Sequence, residues 1–103
     1  MASIAQQVIN ELVLKHFNTA CGELWRSNTQ GKRLRSCTAW VYETENYFVL
    51  QSYNTYIAAI NKNTGICYDA LRNEYGYTST SNQHVCKFWH DYGDSSAQRL
   101  TYK

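Results

Sequence analysis

The hydrophobic pattern of this chain changes its period twice, and this limits the folds that it can adopt. Residues 3–18 and 80–92 carry apolar side chains at helical spacing, whereas residues 36–71 carry β-forming residues in short runs broken by turn signals. A run of hairpins with a helix at either end predicts an α+β domain, with a three- to five-stranded antiparallel sheet and both helices packed on one sheet face.

The first predicted helix spans Ser3 to Asn18. Ser3 and Gln6 have the spacing of a capping box at its start. Cys21-Gly22 predicts a stop or turn, after which 23–26 reads as a short strand and 27–31 as a turn. The alternative is that 18–36 is one long loop. The stripe of the helix consists of Ile4, Val8, Ile9, Leu12, Val13 and Phe17.

Four strands are predicted from β-branched and aromatic residues, at 36–42, 47–53, 56–60 and 66–71. Asn61 to Gly65 is the clearest hairpin signal, since it ends in a glycine suited to positive φ. Asn54-Thr55 reads as a bend inside one long strand rather than as a true turn.

The second predicted helix begins among the possible N-caps at 78–81, where Thr80 and Gln83 repeat the capping-box spacing. Its apolar face is Val85, Phe88, Trp89 and Tyr92, and Gly93 is a natural stop. The polar tail, 94–103, is expected to fray, although Leu100 and Tyr102 could dock. The 103 residues are expected to form one domain.

Several function classes are disfavoured by what the sequence lacks. No apolar run reaches the roughly 20 residues that a membrane span needs, and the first residues lack the features of a signal peptide. The five glycines are scattered, without a phosphate-binding loop, and acids suitable for paired catalysis are few. We therefore expect a protein that is not an enzyme and that needs no cofactor.

The four cysteines are expected to be free thiols, because without export disulfides do not persist. Their spacing contains no C-x-x-C pair, which removes the usual zinc-ribbon and redox motifs. We expect no metal site. The alternative is a zinc site that uses Cys86 and His90, which lie four residues apart and would share a helical face. The remaining cysteines are Cys21, Cys37 and Cys67.

The strongest candidate binding feature is a basic block with aromatic neighbours. Four cations against Glu23 give residues 21–40 a net charge of +3. Such a block could track phosphates while the rings stack on bases, or its cations could simply guard a sheet edge. Trp, Tyr and Arg are also the residues that dominate protein-binding hot spots. The predicted binding residues are Trp25, Arg26, Lys32, Arg33, Arg35, Trp40 and Tyr42, with Tyr75 and Tyr77 as a second cluster.

Residues 40–93 resemble a family of small proteins carried by phages and mobile elements of Gram-positive bacteria. The resemblance lies in three segments: Ser52-Tyr53-Asn54-Thr55, the Asn63-Thr64-Gly65 hairpin, and the helix from Thr80 through Gln83-His84 to Lys87-Phe88. It implies an accessory protein in the bacterial cytoplasm that blocks host machinery, as inhibitors of CRISPR effectors do.

The resulting expectation is a non-enzymatic inhibitor that binds a bacterial defence protein, most plausibly a CRISPR effector nuclease such as Cas9. The alternative is a small nucleic-acid-binding module that uses the basic aromatic patch. No membrane partner is expected, and an exposed edge strand could build a homodimer by sheet extension.

Overall fold

The computed structural model describes residues 4–27, 29–35, 37–93 and 98–103. Within them, hydrophobic periodicity and strand pairing produce three helices and six strands. The helices are α1 (Ile4–Arg26), α2 (Leu71–Glu74) and α3 (Ser79–Tyr92). The strands are β1 (Lys32–Arg33), β2 (Ala39–Glu43), β3 (Tyr47–Ser52), β4 (Thr55–Asn61), β5 (Cys67–Asp69) and β6 (Arg99–Thr101).

The strands form one sheet in chain order, β1 to β6. Each pair from β1 to β5 is antiparallel, whereas β6 returns parallel to β5. The predicted α+β class is confirmed. The predicted sheet of three to five antiparallel strands is wrong, because the sheet has six strands and β6 runs parallel to β5. The two strands that escaped prediction, β1 and β6, have two and three residues, too few for a period-two pattern to show.

Helices cover both faces of the sheet, not one face as predicted. Successive strand residues point to opposite faces, and both members of the pair Val49 and Leu50 are fully buried. Val49 packs in the cluster that contains Val13 and Phe17 of α1. Leu50 packs in the cluster that contains Phe88 of α3. The sheet is therefore the middle layer between α1 and α3.

The first helix continues to Arg26, so the predicted stop at Cys21-Gly22 and the predicted strand at 23–26 are wrong. Glu23 holds this extension against the turn between β2 and β3. Its Oε1 accepts hydrogen bonds from Thr44 Oγ1 at 2.8 Å and from the Asn46 backbone N–H at 2.9 Å. The predicted cap at Ser3 lies outside the described residues.

The β4–β5 hairpin turn is confirmed at 61–65, where Gly65 has φ of 74°. The predicted bend at Asn54-Thr55 is instead a reversal between Ser52 and Thr55, with Tyr53 at φ of 55°. The strand predicted to reach residue 71 ends at Asp69, because Asp69 Oδ1 accepts from the Leu71 N–H at 3.0 Å and α2 begins there.

The second predicted helix is confirmed as α3. Its N-cap is Thr78, whose side chain accepts from the Ser81 N–H, so the predicted capping box of Thr80 and Gln83 is wrong, since both lie inside the helix. The helix ends at Tyr92, and Gly93 is its C-cap, as predicted. The expectation that the tail frays is wrong for 98–103, since these residues include β6. Residues 94–97, the remainder of that predicted tail, lie outside the described part of the chain. No helix in the described residues is long and apolar enough to cross a membrane.

A buried ion pair holds β6 in place. Arg99 Nη2 contacts Asp69 Oδ2 at 2.9 Å and Asn82 Oδ1 at 2.9 Å, which links β6 to β5 and α3. The pair is well shielded, since the Arg99 and Asp69 side chains are 17% and 3% exposed. At the outer side of β6, Asn10 Oδ1 accepts from the Lys103 N–H at 3.0 Å. These long-range contacts explain why residues 98–103 pack against the rest of the domain.

Candidate functional site

A cleft lies where α1 ends, on the α1 face of the sheet. The helix packs mainly across β3 to β6, so the α1-facing side chains of β2 are left partly open to solvent. The space enclosed is about 340 Å³, which is the size of a small-ligand or side-chain pocket. The cleft is lined by Cys21, Leu24, Trp25, Ser27, Thr29, Tyr42 and Tyr56.

One wall of the cleft is a pair of tyrosines held in place by their neighbours. The rings of Tyr42 and Tyr56 meet edge to face, with centroids 5.7 Å apart. The Tyr42 hydroxyl donates to Gln51 Oε1 at 2.8 Å. A Cβ at Gly31 would lie 2.7 Å from Tyr42 Cζ, so only glycine lets the loop before β1 pack this closely. The wall is thus preformed.

The opposite wall ends in Trp25, whose side chain is 87% exposed in the last turn of α1. The chain leaves the helix directly after it, and this end is tied down because the Ser27 N–H donates to the Leu24 carbonyl at 3.1 Å. A large ring held in water on an ordered helix offers apolar area whose burial by a partner is favourable.

Two cations lie near the cleft: Arg26, next to Trp25 at the end of α1, and Arg33, beside Trp40 on the α1 face. Arg26 is exposed, and within the described residues no hydrogen bond or ion pair holds its side chain. Arg33 Nε donates to the Cys37 carbonyl at 2.9 Å, which still leaves its Nη groups facing water. None of the described residues that line the cleft carries a carboxylate, and the carboxylate that acts on it is Glu74, which adds to burial in raising the pKa of Cys21. The site therefore combines an apolar, hydroxyl-bearing interior with a positive rim.

The cysteine in the cleft is a neutral thiol. Burial, followed by the charge of Glu74, raises the pKa of Cys21 to about 11. Because the thiolate is the reactive form, Cys21 contributes packing and weak polarity at neutral pH, not nucleophilic chemistry.

Two residues of the predicted basic block, Trp25 and Tyr42, line this cleft. The strand register places Arg33 beside Trp40, Trp40 beside Gln51, and Gln51 beside Tyr56, so these four side chains form one row on the α1 face. Lys32 pairs with Val41 and therefore points to the other face. Arg26 lies next to Trp25 at the end of α1.

Three more predicted residues, in addition to Lys32, lie away from the cleft. Arg35 makes a bidentate ion pair with Asp91, with Nε and Nη2 at 2.9 and 2.7 Å from the two carboxylate oxygens. This pair holds the pKa of Asp91 down to about 2, and it joins the loop after β1 to α3. Tyr75 and Tyr77 are exposed in the connection after α2, where Arg72 lies over the Tyr77 ring at 4.7 Å.

Sequence reasoning missed the helical wall and Tyr56. Cys21 and Leu24 continue the helical spacing of Val13 and Phe17. Extending that period beyond Gly22 would have placed both residues on the same helix face. The remaining residue, Tyr56, could have been found from the alternation of β4. The polar lining residues Ser27 and Thr29 carry no signal of their own.

The alternative metal pair does not form a shared site. Cys86 Sγ accepts from Arg99 Nη1 at 3.1 Å, and His90 Nδ1 lies 3.2 Å from Asp91 Oδ1. Across the part of the chain that the structure describes, no three His, Cys, Asp or Glu side chains gather as metal ligands.

A buried serine–histidine pair lies between β3 and α3. Ser52 Oγ is 2.8 Å from His84 Nδ1 and 3.0 Å from Ser81 Oγ. A nucleophilic serine beside an imidazole is a catalytic arrangement, but Ser52 is fully buried and no substrate can reach its oxygen. The network satisfies buried polar atoms and joins α3 to the sheet.

Comparisons of this chain with protein-family models, with curated proteins and with solved structures find no match.

Proposed function

We propose that this chain is a non-enzymatic binding protein whose recognition site is the cleft between Trp25 and the Tyr42–Tyr56 wall. The observation that carries the proposal is Trp25: a ring that is 87% exposed, on an ordered helix end, beside a preformed aromatic cleft. Burying such a ring in an interface contributes up to about 3 kcal/mol through its apolar area. Tryptophan and tyrosine are the residues on which binding energy concentrates.

A protein partner fits this surface better than a nucleic acid. Most of the cations that flank the sheet are already used, with Arg35 on Asp91, Lys62 on Glu43 and Arg99 on Asp69. Only two cations, Arg26 and Arg33, remain near the cleft without an ion pair among the described residues, which is few for a surface that must neutralise a phosphate backbone. An aromatic cleft with a small positive rim is instead typical of a hot spot that takes an apolar side chain flanked by acids.

The partner that we propose is a bacterial defence protein, specifically a CRISPR effector nuclease. This step is supported by the resemblance of residues 40–93 to small mobile-element proteins. The net charge of +2 argues against imitation of DNA. Inhibition would therefore arise from steric blocking or from holding one conformation of the nuclease.

The test is inhibition of RNA-guided DNA cleavage by purified effector nucleases of Gram-positive bacteria. Wild-type chain at micromolar concentration should abolish cleavage by its target nuclease, and Trp25→Ala should weaken inhibition at least about tenfold, the equivalent of 1.4 kcal/mol. The matched control is Val8→Ala, which removes another exposed apolar side chain from the same helix, away from the cleft lining.

Two results would contradict the proposal. Equal inhibition by Trp25→Ala and wild type would remove the cleft as the site. Failure to inhibit any nuclease of the panel would remove the proposed target class, and a pull-down from bacterial lysate, with and without nuclease treatment, would then identify the partner class.

Single-stranded nucleic acid is the second candidate, favoured by the row of Arg33, Trp40 and Tyr56 on an open sheet face. Bases can stack on such rings while arginine contacts phosphate. With two cations, the slope of log affinity against log salt would be about −1.4. Anisotropy with labelled oligo-dT at several salt concentrations measures it, and an absence of binding at low salt removes this candidate.

A further inference from the structure

The edge of the sheet at β1 has unpaired backbone groups beside the cleft. The Leu34 N–H donates to the Ala39 carbonyl at 2.8 Å, so Leu34 and Ala39 are a hydrogen-bonded antiparallel pair. Because such pairs alternate with non-bonded ones, the Arg33–Trp40 pair is non-bonded. The N–H and C=O of Arg33 therefore point away from β2, and within the described residues nothing accepts from or donates to them.

At the opposite edge of the sheet, β6, side chains of α1 already bond to outward-facing backbone groups. Gln6 Nε2 donates to the Thr101 carbonyl at 3.0 Å, and Asn10 Nδ2 donates to the Lys103 carbonyl at 3.0 Å. Side chains of α1 thus occupy backbone positions that a further strand beside β6 would need. Of the two edges, β1 is the one that the described residues leave ready for strand addition.

The charges of β1 decide which strand can be added. In a self-pair of two copies, Lys32 and Arg33 of one chain would face the same cations of the other across the strand spacing of about 4.8 Å. Like charges directly opposite are destabilising, whereas opposite charges are favourable. A second copy of this chain is therefore a poor occupant, and an acidic strand is a good one.

We propose that β1 accepts an extended acidic segment of a protein partner by strand addition, and that the same segment places an apolar side chain in the cleft. This rests on the proposed function, since it names the part of the partner that the cleft binds. A partner residue opposite Arg33 shares the α1 face with Arg33 and Trp40. Its neighbour two positions along then lies on the face that carries the cleft.

The backbone geometry favours a polypeptide over a nucleic acid. Arg33 presents both a donor and an acceptor, and an added strand satisfies both. Phosphate oxygens can only accept, so a phosphate backbone laid along this edge would leave the Arg33 carbonyl facing negative charge. Strand addition over two residues is weak alone, and the aromatic anchor supplies most of the affinity.

The experiment is amide hydrogen exchange of the full chain by NMR, with the synthetic peptide acetyl-Glu-Val-Glu-Val-Phe-Val-Glu-amide as the probe. At peptide concentrations up to about 1 mM, exchange of the Arg33 amide should slow at least about tenfold as it becomes hydrogen-bonded. The Leu34 amide, already bonded to Ala39, is the internal control and should change little. The Trp25 indole signal reports cleft occupancy independently.

The control peptides isolate the two contributions. A peptide methylated at every central backbone nitrogen should lose protection of the Arg33 amide, because it cannot pair along either of its edges. A peptide with lysine in place of glutamate should bind at least about tenfold more weakly, because its charges repel the β1 cations.

Three outcomes would overturn the inference. A shift of the Trp25 indole without protection of Arg33 would remove strand addition and leave the cleft function standing. No change at either position would remove acidic strands as ligands, while the nuclease assay still tests the cleft. Protection of Arg33 by oligo-dT but not by the peptide would assign the edge to nucleic acid instead.

Discussion

Gly31→Ala is the change that tests most directly whether the aromatic wall is preformed. A Cβ at Gly31 would lie 2.7 Å from Cζ of Tyr42, closer than real Cβ contacts come, and 3.0 Å from Cε2, which is tighter than most. The loop before β1 or the Tyr42 ring must then move. Since the ring is the side of this contact that can swing away, we expect it to leave its position between Gln51 and Tyr56.

The expected cost follows from the contacts that Tyr42 would lose. Its 2.8 Å hydrogen bond to Gln51 contributes about 1 kcal/mol. Its edge-to-face contact with Tyr56 contributes about 1 kcal/mol more. Alanine restricts the unfolded chain and offsets about 0.5–1 kcal/mol of this loss. The free energy of unfolding should therefore fall by about 1–1.5 kcal/mol.

Gly22→Ala is the matched control, because it makes the same chemical change inside α1. A Cβ there would meet only Arg26 Nη1, at 3.7 Å. Replacing a helical glycine by alanine should stabilise the protein by about 1 kcal/mol. Urea unfolding followed by circular dichroism measures both variants, with wild type between them.

The reasoning is refuted if Gly31→Ala unfolds at the same urea concentration as wild type or at a higher one. The wall would then adapt without loss, and the cleft would not be preformed. Gly31→Ala should also weaken partner binding, whereas Gly22→Ala should leave it unchanged.

Three further predictions concern stability and thiol chemistry. Burial lowers the pKa of His16 and His84, so the unfolded chain binds more protons than the folded chain below about pH 6.5. The urea concentration at the unfolding midpoint should therefore fall as the pH drops from 7.5 to 5.5. A midpoint that does not change over this range would contradict the prediction. Arg99→Ala should reduce the free energy of unfolding by about 3 kcal/mol, because it leaves the buried Asp69 carboxylate without its partner. A loss below about 1 kcal/mol in a urea titration would show that β6 does not depend on this ion pair. Cys67 is fully buried and burial raises the pKa of its thiol, so a thiol reagent should label it only when the protein unfolds. Mass spectrometry identifies the labelled cysteines. Fast labelling of Cys67 in the native protein would disprove its buried position.

The elements that could be predicted are those whose signal is contained in a single segment. The hairpin turn ending at Gly65 depends on a local backbone preference, and α3 depends on the spacing of Val85 and Phe88 between a cap at Thr78 and a stop at Gly93. Neither signal needs knowledge of distant residues, and both predictions are confirmed.

The errors lie where a distant contact outweighs a local preference. Gly22 favours a helix end, but Glu23 bonds to Thr44 and Asn46 in the turn between β2 and β3 and keeps α1 helical to Arg26. Residues 98–103 join the sheet for the same kind of reason, because the Arg99–Asp69 pair bridges residues 30 apart.

The candidate site shows the same division. Trp25, Arg26 and Arg33 could be grouped because they are near one another in the chain, and the structure places them around one cleft. Arg35 belongs to the same segment of the chain, yet its side chain pairs with the carboxylate of Asp91, which lies 56 residues away in sequence. This ion pair holds Arg35 against α3 and away from the cleft. No local pattern contains that pairing.

The sequence by itself determined the α+β class, the central strands, the last helix and the aromatic, basic character of the segment that borders the cleft. Only the tertiary structure decided which sheet face each helix covers, how far α1 extends, that β6 joins parallel to β5, and that Tyr56 completes the wall with Tyr42. The reason is physical: periodicity and turn preferences act over a few residues, whereas ion pairs, edge strands and clefts depend on contacts between segments that only folding brings together.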